Sequence, residues 1–203
     1  MSTLDPTELD AVRELINIAS GNAATALSML VGQRTMISVP RVTLEPIERI
    51  ASITGTPNQP TVVITMQMLG DVTGFLLFLM PVARAHALSA MLLGLAEPKS
   101  GDFDASGRSS LQETANMLAG AYVGALGMLI QGTVMISVPA FGIEPPDDVL
   151  ERYRQSAVSL RQALCIETSI TIGTGLAPCG AHIVLLPLAG AVEALVGALQ
   201  LGG

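Results

Sequence analysis

The sequence predicts an α+β fold in which a pseudo-twofold sheet of antiparallel or mixed strands is packed by two long helices and by shorter closing helices. Positions 14–46 recur at an offset of 99 residues without a gap, and 14 of these 33 positions are identical, so the chain is internally duplicated. Strand-like segments follow one another through short turns, which favours antiparallel or mixed pairing. Half of the 203 residues are hydrophobic and 13% are charged, which supplies ample apolar surface for a core.

The duplication defines the expected domain organisation. The recurring residues are Glu14 and Glu113, Asn17 and Asn116, Gly21 and Gly120, and the pentapeptide MISVP at 36–40 and 135–139. We therefore expect one domain over residues 1–203, made of two repeats at about 5–96 and about 104–202.

The first repeat is expected to contain a long helix, three or four strands and a closing helix. Asp5, Pro6 and Glu8 have the pattern of an N-cap, a first-turn proline and a capping-box acid, so the first helix should run from Pro6 to about Val31. Strands at 35–44, 62–68 and 72–79, a turn at 56–60, and a closing helix from Pro81 to about Leu93, ended by Gly94, should follow.

The second repeat should contain a helix at 105–130, strands at 133–143, 166–173 and 182–186, and a final helix to Leu199. Residues 147–163 fit either a helix or a strand. GFLLFLMP at 74–81 best matches GAHIVLLP at 180–187 at an offset of 106, so about seven residues should be inserted in this repeat, within 145–163.

The long apolar stretch of the second repeat raises the question of a membrane span. No residue between Glu113 and Glu144 is charged, and residues 117–130 are mostly apolar. This run falls short of the roughly 20 residues that a spanning helix needs, so we expect a buried core helix and no membrane insertion. The net charge of −7 and the ten scattered basic residues argue against nucleic-acid binding.

The cysteines and histidines show no pattern of a metal or nucleophile site. Cys165 and Cys179 lack CxxC spacing and are expected to be buried apolar fillers. His86 and His182 have no carboxylate at ligand spacing and are expected at ordinary surface or core positions. An acidic N-terminus without an export signal, together with these few cysteines, predicts a cytoplasmic protein.

The candidate site is a polar stripe on each long helix. Asp10, Glu14, Asn17 and Gly21 lie within an arc of about 60° on the first helix, and Ser109, Glu113, Asn116 and Gly120 repeat the arrangement on the second. Apolar arcs oppose them: Leu9, Val12, Ile16, Ala19, Ala23, Leu27 and Leu30, and Leu111, Ala115, Leu118, Tyr122, Ala125 and Leu129. A solvated surface, or a capping box of Ser110 and Glu113, is the simpler alternative. The identity of Glu and Asn between repeats whose neighbouring exposed residues have diverged favours a functional role.

These stripes resemble the signature of the CheC-type chemotaxis phosphatases, a family to which CheX and FliY are related. The signature is Asp or Ser, three residues, Glu, two residues, Asn, then 22 residues and Pro. The first repeat matches it at Asp10, Glu14, Asn17 and Pro40, and the second matches it at Ser109, Glu113, Asn116 and Pro139. Two intact motifs in a chain that the resemblance covers almost entirely are more similar to CheC than to CheX.

The resemblance implies a phosphatase that hydrolyses the aspartyl phosphate of a CheY-type response regulator. Glu14 and Glu113 would then anchor the regulator through its Lys, and Asn17 and Asn116 would orient the attacking water. The regulator would bring Mg²⁺, and this chain would bind no cofactor. Pro40 and Pro139 are expected to end or bend a strand. The alternative is a non-enzymatic module that binds the regulator or the receptor deamidase CheD.

Overall fold

The computed structural model describes residues 6–54, 59–156, 162–173 and 177–188. Within these ranges the chain forms five helices and seven antiparallel strands, which is the α+β class expected. In chain order they are α1 (Pro6–Val31), β1 (Thr35–Pro46), α2 (Ile47–Thr54), β2 (Thr61–Gly70), β3 (Gly74–Pro81), α3 (Val82–Leu92), α4 (Ala105–Leu129), β4 (Val134–Ile136), β5 (Ala140–Glu144), α5 (Pro146–Ser156), β6 (Gln162–Ile172) and β7 (Cys179–Pro187).

The helices follow the sequence prediction with two additions. α1 and α4 occupy the predicted ranges to within one residue. The closing helix α3 begins at Val82, because Pro81 is the last residue of β3 and its backbone is extended. α2 was not predicted. Most of the segment at 147–163, which fitted either a helix or a strand, lies in helix α5. The predicted N-cap Asp5 and the final helix to Leu199 lie outside the described residues, as does most of the predicted turn at 56–60.

The two repeats exchange their first strands within one sheet. The strand order is β1-β6-β7-β3-β2-β4, and β5 also pairs with β2. Thus β1 of the first repeat pairs with β6 of the second, whereas β4 and β5 of the second repeat pair with β2 of the first. β3 and β7 lie together at the centre. Each half of the sheet therefore contains strands from both repeats.

Apolar residues fill both faces of the sheet. On one face a large core packs beneath α1, α3 and α4, and on the other a smaller core packs beneath α2 and α5. The side chains of β3 alternate between them, since Leu76 and Phe78 join the large core and Leu77 and Leu79 join the small one. Both polar stripes are thus carried by helices on the same face of the sheet.

The apolar arc of α1 packs inward except at its C-terminal end. Val12, Ile16 and Leu27 are buried as expected, but Leu30 is 59% exposed, so its assignment to the packed arc was wrong. Leu30 lies in the last turn of α1 on the side away from the core, whereas its neighbour Val31 packs against the core. No helix in the described ranges is both long enough and apolar enough to cross a membrane, and α4 buries Leu118, Tyr122 and Leu126 in the core.

Both motif prolines lie at irregular points of an outer strand. The register of β1 against β6 shifts between Ser38 and Arg41, around Pro40. Pro139 falls between β4 and β5, so the single strand predicted at 133–143 is in fact two. A proline has no N–H to donate to a ladder, which accounts for the irregularity at both positions.

The additional residues of the second repeat are divided between two places. α5 has 11 residues where α2 has 8, and the connection between β6 and β7 covers 173–178 where that between β2 and β3 covers 71–73. The prediction that the insertion lies wholly within 145–163 was therefore wrong. Neither place interrupts a motif helix or the strand that follows it.

Candidate functional site

The two polar stripes face outward on neighbouring helices. Glu14 and Asn17 are exposed on α1, and Glu113 is exposed on α4, whereas Asn116 is half-buried. Asp10 and Ser109, which open the two stripes, are also exposed. The opposite side of each helix is anchored by buried residues such as Ile16 and Leu118, so the rotation of both helices is fixed by the core.

The Glu and Asn side chains are free to bind something else. In the part of the chain that the structure describes, Glu14, Asn17, Glu113 and Asn116 form no side-chain hydrogen bond and no ion pair. Asp10 is 4.0 Å from Arg13, but both side chains are largely exposed, so this pair contributes little to stability. Four unengaged polar groups at equivalent positions are available for a partner.

The glycines of the stripes leave open surface beside each Asn. A Cβ atom at Gly21 would meet no atom within 4 Å beyond its own stretch of helix, and one at Gly120 would lie 4.0 Å from Ile136 Cδ1. Both glycines are exposed. A partner can therefore approach the helix backbone more closely here than at positions with side chains.

A capping role for Glu113 does not fit the geometry. The N-cap of α4 is Asp104, whose side chain accepts a 2.8 Å hydrogen bond from Gly107 N. Ser110 lies inside the helix and donates to Gly107 O at 2.9 Å. Because Glu113 is two turns beyond the start of α4, it is too far along the helix to satisfy its N-terminal N–H groups.

The two sites differ in how the motif proline is held. Gln112 on α4 donates from Nε2 to Pro139 O at 2.8 Å, which ties the break between β4 and β5 to the second motif helix. The residue at the equivalent position of α1 is Arg13, which lies near Asp10 instead. Gln112 was not predicted from the sequence. The available signal was that Gln112 differs from its counterpart Arg13 although the next residue is Glu in both repeats.

A groove adjoins the first stripe only at its glycine end. It lies between the second half of α1 and the edge strand β1 and has a volume of about 530 Å³. Its lining includes Gly21, Thr25, Ser28, Arg34 and Met36. The hydroxyls of Thr25 and Ser28 bond to the α1 backbone. Among the described residues that line the groove, Arg34 is the only charged one, and it was not singled out in the sequence.

The remaining candidates have structural surroundings. Within the described residues, no group of three or more His, Cys, Asp or Glu is arranged to hold a metal ion. His86 is buried, bonds to Gly101 O at 3.0 Å and stacks on Phe103. Burial lowers the pKa of His182 and raises the pKa of the Cys165 thiol to about 12. Cys165 and Cys179 are buried, as expected for apolar fillers.

Comparison with known sequences finds a different family model in each of two parts of the chain. Residues 8–44 match the CheC-like family, and residues 62–155 match the family described as chemotaxis phosphatase CheX. The chain is 29% identical to the CheY-P phosphatase CheC of Bacillus subtilis over 183 residues, which cover 89% of this chain and 88% of that protein.

Solved structures share the fold. The crystal structure of Thermotoga maritima FliY matches with a TM-score of 0.79 at 24% identity over 100% of both chains. CheX in the CheX-CheY-BeF3-Mg+2 complex from Borrelia burgdorferi matches with a TM-score of 0.52 at 16% identity, over 86% of this chain and 96% of that one. Two family matches and a relative aligned over most of its length make the chain similar in sequence to the CheC-type chemotaxis phosphatases, and these solved structures share its fold.

Proposed function

We propose that this chain hydrolyses the aspartyl phosphate of a CheY-type response regulator, and that it does so in the cytoplasm at two sites. The observation that carries the proposal is the pair of unengaged Glu and Asn side chains on the outer faces of α1 and α4, all exposed except the half-buried Asn116. The names of the relatives support it, since the Bacillus subtilis protein is a CheY-P phosphatase and the Borrelia burgdorferi CheX was crystallised with CheY.

The chemistry requires little from the phosphatase itself. An acyl phosphate is already activated, so the main contribution is to place a water molecule in line with the phosphorus atom. A carboxamide can accept a hydrogen bond from that water through its oxygen and donate one to a phosphoryl oxygen through its nitrogen. Asn17 and Asn116 are assigned this role, and no nucleophile on this chain is needed.

The glutamates are assigned the role of anchors. Glu14 lies one turn before Asn17, and Glu113 lies one turn before Asn116, so each pair points from the same helix face. Each carboxylate would pair with the Lys of the regulator's active site, and this ion pair would fix the Asn over the phosphoryl group. The regulator would also supply the Mg²⁺ that neutralises the phosphoryl charge.

The shape of the surface suits insertion into a partner's cleft. The flanking Gly21 and Gly120 allow a close approach to the backbone of either helix. Asp10 and Ser109, one turn before each Glu, would contact the rim of the same cleft. Pro40 and Pro139 act at a distance, by shaping the strand that follows each motif helix.

The experiment measures the rate of phosphate loss from a phosphorylated CheY-type regulator. Wild type is compared with Glu14→Ala/Asn17→Ala, with Glu113→Ala/Asn116→Ala and with the protein carrying all four changes. Each double variant should retain one working site, and the quadruple variant should return the regulator to its intrinsic rate. Asn22→Ala is the matched control, because Asn22 is an exposed Asn of α1 outside the motif and the other repeat has Ala121 there.

Acceleration by the quadruple variant at the wild-type rate would contradict the assignment. If wild type binds the phosphorylated regulator without shortening the life of its phosphate, the chain is instead a binding module. A direct binding measurement with CheD would then test the adaptor alternative.

A further inference from the structure

The two sites have different charges at one structurally equivalent corner. Each corner lies where the motif helix turns into its following strand and meets a strand of the other repeat. Gly173 N donates to Arg34 O at 2.9 Å in the first corner, and Asp71 N donates to Thr133 O at 2.9 Å in the second. The matching bonds establish that Arg34 corresponds to Thr133 and that Gly173 corresponds to Asp71.

The first corner is cationic and the second is anionic. Arg34 is exposed and has no ion pair within the described residues, and its neighbour Gly173 has no side chain. In the second corner Thr133 is neutral, and the exposed Asp71 accepts a 2.8 Å hydrogen bond from Thr133 N. Duplication has therefore left a full positive charge beside one site and a full negative charge beside the other.

The first corner is close enough to its motif for a docked partner to contact it. In the first half Arg34 and Gly21 line the same groove. Ser28, which also lines it, is eleven residues beyond Asn17 and thus about 16 Å along the helix axis. A protein interface of ordinary size covers about 800 Å² per partner, which corresponds to a radius of about 16 Å. A regulator centred on Asn17 would therefore meet this corner at its rim.

We propose that the two sites select regulators by charge, so that the first site prefers a regulator whose surface is acidic beside its phosphoaspartate. This inference rests on the proposed function and concerns the choice of partner. Charges at the rim of an interface chiefly alter the association rate and discriminate between partners, rather than setting the tightest affinity. The second corner would repel the same acidic surface through Asp71.

The test uses two single-site backgrounds and exchanges the corner residues. With Glu113→Ala/Asn116→Ala present, Arg34→Thr should raise KM for a phosphorylated acidic regulator about threefold and leave kcat unchanged. With Glu14→Ala/Asn17→Ala present, Thr133→Arg should lower KM by a similar factor. Both changes should shrink as salt is added.

Arg41→Thr in the first background is the matched control. It removes the same charge seven residues further along the chain, inside β1, and Arg41 lies on the face of the sheet away from the large core because its neighbour Val42 joins that core. Equal effects of Arg34→Thr and Arg41→Thr, or no effect of Thr133→Arg, would overturn the proposal. Binding of each variant to the beryllofluoride form of the regulator gives a second readout. It still reports partner selection if no hydrolysis is seen, so failure of the proposed function is distinguishable from failure of this inference.

Discussion

Replacing Gly21 with alanine should stabilise the fold and weaken the first site. Gly21 lies inside α1, where a glycine costs about 1 kcal/mol relative to alanine. An added Cβ would meet no atom within 4 Å beyond its own helix, so no packing penalty offsets this gain. We expect a free energy of unfolding higher by about 1 kcal/mol and a Tm higher by about 2–4 °C for a chain of this size.

The same methyl group should obstruct a partner that uses the open surface. Overpacking a close contact costs about 1 kcal/mol or more, so kcat/KM of the first site should fall at least about fivefold. The assay is phosphate release from the regulator with Glu113→Ala/Asn116→Ala present, beside thermal unfolding of the same preparation. Gly124→Ala is the control, since its Cβ also meets no atom within 4 Å and it lies about 12 Å beyond Asn116. If the Gly21→Ala protein gains stability and keeps full activity, a partner does not dock at Gly21. If it loses stability, the surface beside Gly21 is not open.

Three further changes test the fold around the sites. Gln131→Gly should stabilise the protein by about 0.5–1 kcal/mol in chemical denaturation, because Gln131 follows the C-cap of α4 with a φ of 54°, where α1 is followed by Gly32 with a φ of 67°. Gly32→Gln should destabilise the protein by a similar amount. Tyr122→Phe should lower the free energy of unfolding by about 1 kcal/mol. Ser20 Oγ donates its hydrogen to a helix carbonyl, so it accepts the 2.9 Å hydrogen bond from the Tyr122 hydroxyl that the variant lacks. An unchanged denaturation midpoint would argue against that bond. Cys165 should be unreactive towards thiol reagents at pH 8 until the protein unfolds. Because its pKa is raised from 9.0 to about 12 in the fold, stability should fall as pH rises between these values, with a smaller slope in Cys165→Ser.

The sequence predicted the long helices well because their signals are local and repeated. α2 was missed because IERIASIT is short and rich in β-branched residues, which favour strands. Its buried residues Ile47, Ile50, Ala51 and Thr54 nevertheless have the spacing of one helix face, and packing on the smaller core decides in favour of the helix. The break at Pro139 depends on a distant contact, since Gln67 N bonds to Ser137 Oγ there instead of to a strand carbonyl.

The stripes of the candidate site could be placed from sequence because helical periodicity alone puts Glu14 beside Asn17 and Glu113 beside Asn116. Their surroundings could not be placed in this way. The bond from Gln112 to Pro139 spans 27 residues, and the bond from Gly173 to Arg34 spans 139 residues. Such contacts follow from strand pairing between repeats, which a comparison of one repeat with the other does not reveal.

Strand exchange explains how two copies of one motif can acquire different surroundings. Each motif helix continues into a strand that pairs with the other repeat, so each site is bordered by residues from both copies. The groove of the first site includes Ser169 and Thr171 of the second repeat, and the corner of the second site includes Asp71 of the first. A substitution in one repeat therefore changes the border of the other repeat's site without altering the Glu and Asn that both retain. Duplication within a shared sheet thus allows the two candidate sites to keep the same Glu and Asn while the residues that border them diverge.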